Sequence, residues 1–252
     1  MRHILYLFSL FCTNFMFGQI ESNLIKKNSL NADQFVGCDY DFNYYYYSNT
    51  IISKQTKDNL LTYSNFLYGN ISSVDITNPL KIVVFYQEFN VAILLDNQLN
   101  ETDIIQLPYD VSFATKGTAN HLWLFTTNTK IIENFNFKTQ TVVARSQPLK
   151  NATVVNMKST ENNVFIQTTE GIRTYDYLGN FIKNYDNTKL QDFQYSNRIL
   201  YTLQNDTIYR NKKNIETITF PEPSNIEKFY TLNNHFFIFD GSELYLFSTD
   251  KK

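Results

Sequence analysis

Six short apolar runs recur along this 252-residue chain at nearly even spacing, and that spacing limits the possible folds more than any other feature. They are "FNYYYYS" from Phe42, "KIVVFYQ" from Lys81, "NHLWLF" from Asn120, "NVFIQTT" from Asn163, "RILYTLQ" from Arg198 and "NHFFIF" from Asn234. Counted from positions 42, 81, 121, 163, 198 and 235, the intervals are 39, 40, 42, 35 and 37 residues. A repeat of this kind takes precedence over local propensity in deciding architecture.

Each run is followed, across a short polar turn, by a second strand-like run. The turns include Ser48-Asn49, Thr169-Glu170-Gly171, Asn205-Asp206 and Asp240-Gly241-Ser242, and Asp-Gly and similar pairs tolerate the positive φ angles of tight hairpins. A third strand follows in most units ("NLLTYS", "ETDIIQL", "TVVARS", "NFIKNY", "IETITF"). Another precedes the opening run, as in "ISSVDI", "VSFAT", "TVVNM", "LQDFQY" and "IEKFYTL". Four antiparallel strands in about forty residues is the period of a β-propeller blade. The sixth unit stops soon after "ELYLFST" and lacks an outer strand, whereas "IESNLIKK" from Ile20 has no partner in the first unit. Pairing the two closes the ring and removes both loose edges. The expectation is therefore an all-β, six-bladed propeller closed by its amino-terminal strand, preferred to five blades because this count uses every strand. A β-sandwich demands neither the even period nor the leftover strands.

Two histidines, His121 and His235, hold the same slot in units three and six. Three units apart, they sit on opposite sides of a ring and share neither a proton nor a metal. They are expected to be turn residues.

Composition agrees with strands. Aromatic residues make up 16% of the chain, against 7 Gly and 5 Pro, and aromatic side chains pack well on pleated surfaces. AT-rich coding favours several of the same residues, so the repeat carries the argument. The net charge is −2, with no dense run of Lys or Arg, so there is no electrostatic footprint for nucleic acid or an anionic membrane.

The amino terminus, "MRHILYLFSLFCTNFMFGQ", has a basic start, an apolar run from Ile4 to about Phe17 and a small residue at Gly18. The run is short for a membrane span and fits an export leader over residues 1–18. Residues 19–252 then form a single domain. Cys12 follows Phe11 rather than a small residue, so no lipid anchor is read. Cys38 alone remains after the leader, which excludes an intramolecular disulfide and fits a small buried apolar group.

Most chemistries lack their parts. No G-x-S-x-G elbow, phosphate-binding glycine pattern, clustered zinc ligands or calcium loop occurs. No catalytic, cofactor or metal residue is assigned, and no cofactor is expected. Asp75, Asp110, Asp192 and Glu227 lie in or beside inner-strand segments, where propeller glycosidases place a pair of acids. Acids at strand ends more commonly cap turns, and no pair is named. Tyr44, Tyr45, Tyr46 and Tyr47 alternate along one strand, so two face each neighbouring blade. Trp123 is expected to pack in the same way. Asn-x-Ser/Thr triplets occur at Asn70, Asn100, Asn151 and Asn205, and "DTI" at Asp206 resembles a short O-glycosylation motif of Bacteroidota that would modify Thr207.

On its repeats and its Phe-Gly-Gln leader end, the chain resembles small exported β-propellers of Bacteroidota, in particular flavobacteria. Named blade signatures of WD40, kelch and sialidase repeats do not match, so no active site is carried over. The resemblance implies a non-enzymatic binding or scaffold module of the periplasm or outer membrane. Such a module contacts an envelope protein or a glycan, either as a monomer or within a larger complex. The competing expectation is a glycosidase or lyase using channel-facing carboxylates.

Overall fold

The computed structural model describes residues 18–150, 153–211 and 215–250. Two strands lead the chain, β1 (Gly18–Glu21) and β2 (Asn23–Ser29). The first blade is β3 (Gln34–Cys38), β4 (Tyr44–Ser48), β5 (Ile51–Gln55) and β6 (Leu60–Ser64). The second is β7 (Ser73–Asp75), β8 (Ile82–Tyr86), β9 (Val91–Leu95) and β10 (Glu101–Gln106). The third is β11 (Phe113–Lys116), β12 (His121–Thr126), β13 (Ile131–Asn136) and β14 (Thr141–Arg145). The fourth is β15 (Val154–Ser159), β16 (Asn163–Thr168), β17 (Gly171–Asp176) and β18 (Phe181–Asp186). The fifth is β19 (Asp192–Ser196), β20 (Ile199–Gln204), β21 (Thr207–Asn211) and β22 (Ile215–Thr219). The sixth is β23 (Lys228–Leu232), β24 (His235–Phe239) and β25 (Glu243–Ser248). One 3-10 turn, Phe66–Tyr68, is the only helix among the described residues.

The six sheets stand in a ring as a β-propeller, as the repeat predicts. Six apolar clusters hold them, one at each junction between neighbouring blades. The second strand of each blade is sandwiched between two of these clusters, because successive side chains point to opposite faces. In β8, Val83 and Phe85 pack toward blade three while Ile82, Val84 and Tyr86 pack toward blade one. In β24, Phe236 and Ile238 face blade five and Phe237 and Phe239 face blade one. A strand buried on both faces therefore reads as an unbroken apolar run, which is why these runs mark the period. Burial of each large side chain contributes about 1.5–3 kcal/mol.

The hairpins follow the sequence signals. Asn205 and Asp206 both adopt positive φ between β20 and β21, the two-residue turn whose twist matches its strands. Gly241 does the same after Asp240.

Closure is as expected in kind and fuller in detail. Strand β2 pairs antiparallel with β25 from Asn23↔Ser248 to Ser29↔Glu243, supplying the outer strand of blade six. Lys27 reaches Glu243 at 2.5 Å across this seam. The segment expected to do this began at Ile20, but residues 18–21 go elsewhere: β1 runs parallel to β22 on the outer edge of blade five. Ser22 turns the chain between the two sheets and donates from its hydroxyl to the Thr219 carbonyl at 2.7 Å. Apart from Gly18, which begins β1, the predicted leader lies outside the described residues.

Candidate functional site

The six inner strands β3, β7, β11, β15, β19 and β23 surround a central channel that widens at both ends. Val36, Val74, Ala114 and Met157, together with Ser73, Asn156 and Lys158, line both widenings and form the waist between two mouths. Val36 is the extra residue of a bulge in β3, between the Phe35↔Tyr46 and Gly37↔Tyr45 pairs, and bulges re-aim side chains at such rims.

The mouth at the amino-terminal ends of the inner strands has a volume of about 490 Å³ and is lined by Gln34, Gln87, Gln167, Gln191, Lys158, Asp192 and Lys228. Asp192 is 1% exposed. Its Oδ1 accepts from the Lys158 ammonium at 2.7 Å, and Lys228 Nζ lies 4.0 Å from Oδ2. Lys158 also donates to the Phe193 carbonyl at 2.5 Å. Burial opposes ionisation of Asp192, but the two ammoniums outweigh it and hold its carboxyl below the usual range. Asp192 Oδ2 and Gln167 Oε1 have no hydrogen-bond partner.

The opposite mouth, about 340 Å³, is hydroxyl- and phenol-rich. Tyr40, on the β3–β4 loop, is 80% exposed. Tyr195 lies against Phe165 with ring centroids 4.7 Å apart. Tyr230 packs its ring on Gly37, where an added Cβ would fall inside the ring's van der Waals envelope and where φ is +153°. Asp75 is fully occupied. Its Oδ2 accepts from the Lys116 amide at 2.8 Å, the Ser159 hydroxyl at 3.3 Å and the Thr115 hydroxyl, and Oδ1 accepts from the Thr77 amide at 2.7 Å. The Lys116 ammonium points away from Asp75 and donates to the carbonyls of Gly117, Ala119 at 2.9 Å and His121 at 3.5 Å. Burial, reinforced by the nearby Lys81 charge, pushes its pKa down to about 8.

The four acids singled out by position do not converge. Asp75 and Asp192 open on opposite mouths. Asp110 is exposed beside a cleft with Gln87 and Glu88, and Glu227 is exposed against Gly241. Among the described residues, no three His, Cys, Asp or Glu side chains gather as metal ligands. The histidines hold equivalent places. His121 opens β12 with Nδ1 3.3 Å from the Thr118 hydroxyl, and His235 opens β24 with its ring edge-on to Phe42 at 4.9 Å. Tyr45 and Tyr47 pack toward blade two, and Tyr44 and Tyr46 toward blade six. Trp123 is buried against blade four. Cys38 is 2% exposed, and burial pushes its thiol well up. Asn70, Asn100 and Asn205 are exposed, Thr207 begins β21, and Asn151 lies outside the described residues.

Not anticipated from the sequence is a recurrent five-residue turn, "DYDFN" at 39–43, "DNQLN" at 96–100 and "DYLGN" at 176–180. In each, the Asp Oδ1 accepts two backbone amides and the Asn side chain donates to Oδ2. The shared Asp-x-x-x-Asn spacing is the signal that would have found it, since Asp side chains nucleate such turns. Asp39 adds a buried ion pair to Lys54 at 3.2 Å, fixing the loop that carries Tyr40.

No protein-family model and no curated protein sequence matches the chain. Among solved structures, the WD40 β-propeller domain of Doa1 is similar, with 12% identity and a TM-score of 0.61 over 93% of each chain. A streptogramin B lyase matches with 10% identity and a TM-score of 0.60, over 88% of this chain and 97% of that one. BBS1N, solved in complex with ARL6DN, matches with 10% identity and a TM-score of 0.60, over 87% of this chain and 79% of that one. At such identities the likeness establishes the propeller fold alone.

Proposed function

We propose that this chain is a non-enzymatic binding propeller, exported to the bacterial envelope, that presents the tyrosine-rimmed mouth of its channel to a protein partner or a glycan. The observation that carries this reading is the engagement of the channel carboxylates. Asp75 holds three strands through hydroxyl and amide donors, Asp192 holds Lys158, and the two lie at opposite mouths. Acid–base work on a glycosidic bond requires two carboxyls about 5–10 Å apart across one substrate. The exposed Tyr40 and the half-buried Tyr195 and Tyr230 offer an amphipathic contact surface of the type enriched at interfaces. BBS1N lends a parallel as a propeller seen with a bound protein. The basic start and apolar run before Gly18 support export.

Two measurements test the reading. Amino-terminal sequencing of the protein from the envelope fraction of its own host is expected to begin at Gln19 or Ile20. A photo-crosslinker placed beside Tyr40 is expected to capture one defined envelope component, and Tyr40→Ala weakens that capture by about tenfold, the size of a single interface anchor. Turnover of a glycan that disappears in Asp75→Asn would replace the binding module with an enzyme.

A further inference from the structure

The outer edges of the six blades are not equivalent. Four outer strands carry a bulge, at Ile25 in β2, Thr102 in β10, Val143 in β14 and Ile182 in β18. Each of the four also carries charge, such as Lys26 and Lys27 in β2, Asp103 in β10, Arg145 in β14 and Lys183 in β18. Bulges and charges are the means by which exposed edges avoid pairing with other chains. Strand β22 has regular register, and its outer side is taken by β1, which is regular too but ends on the charged Glu21. That leaves β6. It is regular over all five positions, from Ile51↔Ser64 to Gln55↔Leu60, and contains no charged residue. No described strand pairs with its outer side.

We propose that β6 is a self-association edge, through which two copies of this chain join antiparallel about a two-fold axis at Thr62. The segment "LLTYS" is complementary to itself in that register. Thr62 meets the partner's Thr62, Leu61 meets the partner's Tyr63, and Leu60 meets the partner's Ser64. Thr–Thr and aromatic–aliphatic cross-strand pairs are favourable, and no like charges face each other. On the face shared by Leu60, Thr62 and Ser64, the row continues into Ile51, which is 43% exposed beside Ser64. Phe66 and Leu67, 77% and 75% exposed, follow the strand directly and widen the apolar rim. The occupant is another β6 because its sequence pairs with itself without facing charges, whereas each of the five other free outer edges carries charge and four of them are bulged as well. The same patch on both copies closes the assembly at two rather than extending it into a fibre. A five-residue edge buries less than the roughly 1,200 Å² of stable complexes, so the association belongs to the weak class.

Sedimentation or light scattering of the wild type up to hundreds of micromolar tests this. The mass is expected to rise from monomer toward dimer. Thr62→Lys sets two ammoniums against each other on the axis and is expected to stay monomeric with an unchanged Tm. Thr62→Val keeps an uncharged β-branched pair and dimerises like the wild type. Amide exchange in β6 is expected to slow with rising protein concentration while the bulged edges stay unchanged. A wild type monomeric throughout, a Thr62→Lys dimer, a monomeric Thr62→Val or concentration-independent β6 exchange would each overturn the proposal. Binding of some other extended segment by a monomeric wild type would overturn it too, by giving the edge a different occupant.

Discussion

The two mouths of the channel are cut from opposite ends of the same six strands, yet they share little chemistry. At the amino-terminal ends, a buried carboxylate stands between two lysines amid four glutamines. At the other end, Asp75 is wrapped by hydroxyls and amides, Asp39 is paired with Lys54, and tyrosines rim the opening. Blade geometry dictates neither. Each inner strand runs from one mouth to the other, and most of the side chains that pack neighbouring blades together lie on the strands further out. The mouths are therefore free to diverge while the ring stays the same.

Both mouths depend on the closed ring. Deletion of residues 20–27 strips most of the pairing between β2 and β25 and half of β1. At about 1 kcal/mol net per backbone hydrogen bond, the loss is on the order of 5 kcal/mol, and Tm is expected to fall by roughly 10–20 °C in a calorimetric scan. An unchanged melting curve would mean that the ring does not depend on its clasp.

Substitutions at single mouths then separate them. Asp192→Asn leaves the Lys158 ammonium without its carboxylate. The expected cost is about 3 kcal/mol by denaturant titration, below the value for a fully enclosed pair because channel water reaches Lys158. The wild-type contribution is present above the unfolded carboxylate pKa of about 3.9 and is lost as pH falls below it, since the folded carboxyl titrates lower. Asp192→Asn should flatten that acid limb and leave crosslinking at Tyr40 intact. Gly37→Ala acts on the other mouth. The new Cβ meets the Tyr230 ring at a φ that L-residues seldom adopt, for an expected cost of about 2–3 kcal/mol, and the displaced ring weakens ligand capture at Tyr40. Equal loss of capture in both variants would erase the distinction between the mouths.

The smallest effect concerns Lys116. Its folded pKa of about 8 lies below the unfolded value of about 10.4, so between those values the unfolded chain binds more protons and stability rises with pH. Lys116→Met is expected to remove that rise in urea midpoints measured from pH 8 to 10.5. A slope that survives the substitution would assign it to another group.

Much of the fold was legible in the residues because its cause is local. "IVVFY" at 82–86 and "FFIF" at 236–239 are apolar at every position since β8 and β24 are covered on both faces, and Asn205-Asp206 turns because both residues tolerate positive φ. The shared slot of His121 and His235 followed from the repeat in the same way. The surroundings of Asp75 were not legible. Its hydroxyl partners Thr115 and Ser159 lie 40 and 84 residues away along the chain, and nothing near Asp75 encodes them. For the same reason, no local pattern separated Asp192, locked beneath Lys158, from the exposed Glu227.

The blade count, the four-strand blades, the alternation of Tyr44 to Tyr47 between neighbouring blades and the need for an amino-terminal clasp could all be read from the residues alone. These follow from periodicity and from apolar surface that must be covered. It took the folded ring to show that β1 crosses to blade five, that β6 alone is a regular and uncharged free edge, and that the channel acids face opposite ways. Each of those depends on which distant backbone groups and charges are brought within hydrogen-bonding reach, and that reach is created only when the ring closes.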